Sequence, residues 1–308
     1  MNLIKPSVVA VVIAAVLPMT AAAADPVTVY GKLNVSVDAF DVDGDSSTGV
    51  HSNASRLGVK GAFELSADLE AFYTIEYEVN TSADDKDNFE ARNQFVGLRG
   101  AFGEVAVGRN DTMLKQSQGK VDLFGDLQGD IKNLFKGENR MEQTVTYLSP
   151  TFAGIKFGAT YVAEESGSQK NDDDGFSVAA MYGDAKLKKS AIYASVAYDT
   201  DVKGFDSILR ATVQGKIGDL KLGAMYQDQE EAGKDSMDGF MVSAGYQLSA
   251  VILKAQYQDM DTKGEAISAG VDYKLGKPTK LFAYYTQRDL ESSSSADDYF
   301  GIGLEHKF

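Results

Sequence analysis

The 308-residue chain has no cysteine, no tryptophan, five prolines and two histidines. Without cysteine there is no disulfide framework, thiolate zinc site, iron–sulfur cluster or cysteine nucleophile. With only His51 and His306, a histidine-rich metal site is out of reach. A Ser-His-Asp site would need one of these two beside a suitable serine; the chain reads as a non-enzyme, with no cofactor and no metal. Positive charge is also in deficit: 30 Lys and Arg against 45 Asp and Glu leave a net charge of −15. Binding phosphates along a nucleic acid needs a basic face, so that partner class is disfavoured. Long apolar runs are missing as well. Val8–Leu17 is the longest, and a spanning helix needs ~20 residues.

That run has a specific setting. Met1–Lys5 precedes it with one positive charge, and Ala21–Ala24 follow it, then Asp25. A charged n-region, a short apolar core and small residues at a cleavage site make a secretory signal peptide. The expected division is therefore 1–24 as signal peptide and 25–308 as mature chain, whose loss of Lys5 takes the net charge from −15 to −16. An exported chain without cysteine points to a bacterial envelope.

Through the mature chain, apolar and polar residues alternate. In 27–40, Val27, Val29, Gly31, Leu33, Val35, Val37 and Ala39 alternate with Thr28, Tyr30, Lys32, Asn34, Ser36 and Asp38. The end reads Phe300, Ile302, Leu304, His306, Phe308 against Gly301, Gly303, Glu305, Lys307. Period two is the signature of a strand with two unlike faces. Sixteen such segments are predicted: 27–40, 55–65, 69–79, 91–100, 104–109, 140–149, 154–162 and 176–183, then 191–199, 207–217, 220–228, 238–248, 251–259, 265–275, 280–289 and 298–308. Short connections (66–68, 101–103, 150–153, 218–219, 249–250, 276–279) contrast with long ones (41–54, 80–90, 110–139, 163–175, 229–237, 290–297). Sheets in lipid must close so that every backbone group is paired. A meander of ~10-residue strands with short and long connections is the mark of an all-β, closed antiparallel transmembrane barrel. At about sixteen strands the interior holds an aqueous channel.

Several stretches resemble a known family. VYGKLNVSV near the mature start, SRLGVKG at 55–61, ARNQFVGLRGAFGEVAVGRND at 91–111, NRMEQTVTYLSPTFAGIKFGATY at 139–161 and the terminal Phe308 are similar to the general porins of Gram-negative outer membranes. The resemblance covers the mature chain. It implies a homotrimer in the outer membrane, in contact with lipid and lipopolysaccharide, with short periplasmic turns and long external loops. It implies a third external loop folded inward, and passive diffusion of ions and small hydrophilic solutes. It also implies that Phe308 is an assembly signal for the outer-membrane insertion machinery.

The third long connection, 110–139, matches the family's constriction loop. Asp122, Asp126 and Asp130 recur every four residues, as do Leu123, Leu127 and Ile131. This spacing predicts acids on one side of a short or irregular helical turn and apolar groups on the other; Gly125 and Gly129 weaken a regular helix. Its tip, Asp122-Leu123-Phe124-Gly125-Asp126, departs from the family's Pro-Glu-Phe-Gly-Gly-like run. The family's facing wall is basic, and Lys32, Arg56, Arg92 and Arg140 match it. A basic wall opposite an acidic loop sets a transverse field in the pore. The expected outcome is weak cation selectivity, set by the three aspartates and moderated by the wall.

Acids elsewhere in long connections (Asp41, Asp43, Asp45; Asp84, Asp85, Asp87; Asp172–Asp174; Glu230, Glu231; Asp297, Asp298) read as a charged external vestibule or as divalent-cation contacts to lipopolysaccharide. The Asp41–Asp45 run resembles a calcium loop, but Ser52 stands where a bidentate glutamate is needed. An adhesin or receptor role for the long loops is the alternative to a channel.

Overall fold

A computed structural model describes residues 27–83 and 88–308. The expected signal peptide and the acids Asp84, Asp85 and Asp87 lie outside the described residues. The first strands are β1 Thr28–Val42, β2 Asp45–Ser52, β3 Arg56–Ser66, β4 Leu69–Val79, β5 Phe89–Gly100 and β6 Gly103–Asp111. After the third long connection come β7 Arg140–Leu148, β8 Ile155–Val162, β9 Gly175–Gly183, β10 Ile192–Val202 and β11 Phe205–Ile217. The last are β12 Leu220–Glu231, β13 Met237–Leu248, β14 Val251–Met260, β15 Gly264–Lys274, β16 Thr279–Leu290 and β17 Asp297–Lys307. Sequential neighbours pair antiparallel, and β17 pairs back onto β1 from Lys32↔Lys307 to Asp41↔Asp298.

β2 and β3 are one barrel strand with a break. Both pair with β1, β2 opposite Val35–Val42 and β3 opposite Thr28–Lys32, so the closed barrel has sixteen strands. The break spans Asn53–Ser55, with Ala54 at φ +49°. Side chains stand in for the ladder there: Asn34 N–H donates to Ser55 Oγ at 2.9 Å, and Asn53 Nδ2 donates to Ser36 Oγ at 2.8 Å.

The expected long connection at 41–54 is corrected by this arrangement. Asp43 and Gly44 both have positive φ, +51° and +82°, the geometry a two-residue hairpin turn requires. The β2 segment DSSTGVHS is polar on both faces, so its alternation was silent.

The two faces differ as lipid and water require. Leu33 and Val37 are exposed, while Asn34, Ser36 and Asp38 between them are buried. The same outward apolar set continues round the barrel, as in Val96 and Leu98, Val178, Val213, Val242 and Ile302. Phe308 closes the last strand at its lower end. Its ring lies over Gly31, where an added Cβ would meet Phe308 Cζ at 2.3 Å. Gly31 N–H donates to Phe308 O at 2.9 Å, and Phe308 N–H to Gly31 O at 3.2 Å.

The two rims carry opposite charge. On the long-loop rim, Asp41, Asp43, Asp45, Asp172 and Asp173 are exposed. On the short-turn rim, Lys186, Lys188, Lys189, Lys274 and Lys277 are exposed. The apolar core of the protein sits inside, in the third connection: Val121, Ile131, Leu134 and Phe135 pack on Met225, Met241 and Met260, and Met113 and Leu114 on Ala179, Ala197 and Ile208.

Candidate pore constriction

Lys32, Arg56, Arg92 and Arg140 come from β1, β3, β5 and β7, and the structure gathers them on one stretch of interior wall. Two local irregularities aim them. The break before β3 leaves Ala54 O free to accept from Arg56 Nε at 3.1 Å, which steadies the guanidinium. In β5, Ile75 pairs with Gln94 but Tyr77 pairs with Ala91. Two positions on β4 therefore face three on β5, a bulge. Strict alternation from the outward Val96 would send Arg92 outward. The bulge turns it in beside Asn93: Arg92 Nε donates to Glu76 Oε1 at 2.6 Å and Nη1 to Glu78 Oε2 at 2.5 Å. Arg140 Nε donates to Asn93 Oδ1 at 2.6 Å, and its Nη2 pairs with Asp111 Oδ1 at 3.0 Å.

The segment between β6 and β7 crosses to the opposite interior face. It contains α1, Met113–Ser117, and a 3-10 turn, Ile131–Asn133. Thr112 caps α1, its hydroxyl accepting from Lys115 N–H at 3.5 Å. Serine and glutamine side chains from the wall hold its backbone. Ser243 Oγ donates to Val121 O at 2.6 Å, Ser195 Oγ to Ser117 O at 2.7 Å, and Gln256 and Gln258 both donate to Gly129 O, at 3.0 and 2.7 Å. The approach at Gly129 is close: an added Cβ would meet Ser268 Oγ at 2.4 Å. Arg210, fully buried, ties the returning limb through Glu138 Oε1 at 2.6 Å and Lys136 O at 2.8 Å.

The helical turn expected over the aspartates is not formed; 121–130 is a chain of turns and bends. Gly125 and Gly129 favour it, and Asp126 adopts φ +70°. Two aspartate side chains then compete with a helix for backbone N–H groups. Asp122 accepts from Phe124 N–H at 2.8 Å and Ile131 N–H at 3.3 Å. Asp130 accepts from Asp126 N–H at 2.8 Å and caps the 3-10 turn through Lys132 N–H at 2.9 Å.

The three aspartates therefore occupy different settings. Asp126 faces the basic wall, its Oδ2 lying 2.6 Å from Lys32 Nζ and 2.8 Å from Arg56 Nη2. Burial raises the pKa of its carboxyl, but Lys32 and Arg56 outweigh that and hold it below the usual value. Asp122 is turned into the loop and bonded by Gln256 Nε2 at 3.2 Å. Burial, joined by the charge of Asp130, pushes Asp122 up to about 7.

That shift has a stability sign. The usual carboxylate value is about 4, so between about pH 4 and 7 the folded chain holds a proton that an unfolded one has lost. The stability from this group is full below that window and is lost as pH rises through about 7. Docking of 112–139 should thus weaken from about pH 5 to about pH 8, read as faster protease clipping of that segment in detergent-held protein. Asp122→Asn should flatten the trend; an unchanged slope in that variant would rule out this origin.

Sequence reading missed the wall's own acids. Glu76 and Glu78 share the inward phase of β4, alternating with the exposed Ile75 and Tyr77, a signal that was present. Asp111, which pairs with Arg140 and at 3.2 Å with Lys115, and Arg210 carried no such pattern. His306 lies on the exposed face, its Nδ1 2.7 Å from Thr279 Oγ1, and the ring of His51 sits 4.8 Å from that of Phe40.

Comparison with known proteins agrees with the architecture. A family model described as Gram-negative porin matches residues 9–293. The major outer membrane protein P.IB of Neisseria sicca is 30% identical over 365 residues, covering 99% of this chain and 100% of that protein. Its counterpart from Neisseria meningitidis serogroup B is 25% identical over 348 residues, at 99% and 100% coverage. Among solved structures, the anion-selective porin from Comamonas acidovorans superposes with a TM-score of 0.78 at 21% identity, over 92% of this chain and 99% of that one. Vibrio cholerae OmpT in its trimer form gives 0.67 at 19% identity, over 92% and 99%. With a closed sixteen-stranded barrel, an apolar outer face and family matches across nearly the whole chain, the protein belongs to the Gram-negative porin family and resides in the outer membrane.

Proposed function

We propose that the barrel is a channel for passive diffusion of ions and small hydrophilic solutes, and not an enzyme. The narrow place is where 112–139 faces the wall of Lys32, Arg56, Arg92 and Arg140. The observation that carries this reading is Asp126 held against Lys32 and Arg56 at 2.6 and 2.8 Å. Loop acids and wall bases brought together at the narrow place set a transverse field in the adjoining water, in which polar solutes align. Local charge is nearly balanced: Asp126 answers Lys32 and Arg56, Glu76 and Glu78 answer Arg92, and Asp111 answers Arg140. Selectivity is accordingly weak. The acid-rich long-loop rim inclines it toward cations, and the three loop aspartates add to that in proportion to how far each faces the gap.

Residues 1–24 are read as the signal peptide that directs export. The working assembly is a homotrimer in lipid and lipopolysaccharide, supported by the trimer form of the Vibrio cholerae neighbour. Purified protein in a planar bilayer should give open, ohmic steps at high salt, and light scattering in mild detergent should give three chains per particle. Protein that inserts without conducting would overturn the channel reading.

Phe308 is the assembly signal in this reading. Its ring is exposed at the lower end of the barrel and interlocks with Gly31. Deleting Phe308 should lower outer-membrane insertion while leaving the conductance of correctly folded protein unchanged. Normal insertion of the shortened chain would refute the role.

A further inference from the structure

The short-turn side of the barrel holds a second charged cavity that the constriction does not use. A recess of about 450 Å³ lies between the start of the third connection and the wall of β11–β16, lined by seven lysines and three aspartates. In a chain of net charge −15, this is a local reversal of sign.

One of those aspartates is already neutralised. Asp272 is shared by Lys254 and Lys280, each at 2.9 Å. A second, Asp122, is turned into the loop. Lys216 and Lys221 stand directly opposite each other on β11 and β12, where like charges repel. Among the described residues neither joins an ion pair. Lys221 in turn faces Gly245, and Gly245 faces Lys254. Three lysines thus share one row across four strands, with a gap free of side chain in its middle.

The open edge of the recess is lysine-bearing too, and its backbone is fixed. In the connection between β9 and β10, the Asp184 carboxylate accepts the N–H groups of Lys186, Lys188 and Lys189 at 2.9, 2.9 and 3.0 Å. Gln214 joins this connection to the third one: its Nε2 donates to Ala185 O at 2.5 Å and its Oε1 accepts from Lys120 N–H at 2.8 Å. The main chain is held while the ammonium groups of Lys120, Lys186 and Lys188 stay unpaired among the described residues.

We propose that this recess binds a small, multiply charged phosphate compound, such as pyrophosphate or a phosphorylated sugar. Each ammonium offers three donors and no acceptor. Unpaired ammonium groups on the wall, on the third connection and on the turn at 184–190 suit an anion with several oxygens better than a single halide. The proposal rests on the channel reading, because an anion held here stands in the conducting path.

Inorganic pyrophosphate added to one side of single channels in a bilayer tests it. Concentration-dependent interruptions of the current are expected, stronger from the short-turn side. Lys216→Gln with Lys221→Gln should weaken the apparent affinity about tenfold, two unit charges at close range in water. Lys156→Gln, an exposed lysine of β8 outside the recess, should leave it unchanged. Normal conductance in all three proteins shows that the barrel is intact. Channels that conduct but ignore pyrophosphate, or that lose the effect equally in Lys156→Gln, overturn the site. Absent conductance overturns the channel reading instead. Equilibrium titration of detergent-held protein with pyrophosphate then reads the site alone, and a lack of saturable uptake overturns it.

Discussion

Replacing Asp126 with Asn is expected to shift the reversal potential toward anions at nearly unchanged conductance. Asp126 is the loop carboxylate that faces Lys32 and Arg56. Removing its charge leaves two cations at the gap with no loop counter-charge. A unit charge at ~6 Å in water favours a cation by about 0.7 kcal/mol and disfavours an anion by as much, so its loss changes the cation-to-anion permeability ratio about tenfold. Asp122→Asn and Asp130→Asn should each shift it far less, because those carboxylates bond backbone N–H groups within the loop. Arg56→Ser with Arg92→Ser should shift the ratio the other way and admit bulky solutes faster. If Asp122→Asn moves the reversal potential in a salt gradient and Asp126→Asn does not, the assignment of the wall-facing carboxylate is wrong.

Phe124→Ala should undock the third connection while leaving the barrel folded. Phe124 is fully buried among Phe282, Tyr284 and Tyr299, with Lys254 Nζ 4.8 Å above its ring. Truncating a buried phenylalanine costs about 3–5 kcal/mol. None of the ladder hydrogen bonds that close the barrel involves this side chain, so the loss falls on the docking of 112–139. The expected result is noisier and larger current steps, with protease cutting inside that segment and strand content by circular dichroism unchanged. Quiet, wild-type steps would show that wall glutamines and serines suffice to hold the loop.

The barrel was legible because lipid imposes a simple rule on every strand: apolar outside, free choice inside. That rule wrote itself into Leu33, Val37, Val96 and Ile302. Where the chain rises above lipid the rule lapses, which is why β2 was hidden in a polar stretch and only Asp43-Gly44 marked its turn. The basic wall was recognised from its motifs, yet what brings Arg92 inward is a bulge, and alternation has no symbol for a bulge. The aspartate ladder was read as a row on one side because equal spacing suggests equal roles. Two glycines and a positive φ at Asp126 broke the helix that would have made the spacing meaningful. The lysine recess went unread because its lysines come from four strands and two connections, and the connection at 184–190 was in neither list.

The opposed rims have an electrical consequence. Seen by the current, acid at one mouth and lysine at the other form a junction: one end recruits mobile cations, the other mobile anions. One polarity of voltage drives both kinds of carrier into the pore and fills it; the other sweeps both out. In dilute salt, where the screening length is ~30 Å, the channel should rectify like a diode. At about 1 M salt the screening length shrinks to ~3 Å, each mouth loses sight of the other's charge, and the current–voltage curve should straighten. A straight line in dilute salt would mean that the fixed charges on the two mouths do not reach the conducting water.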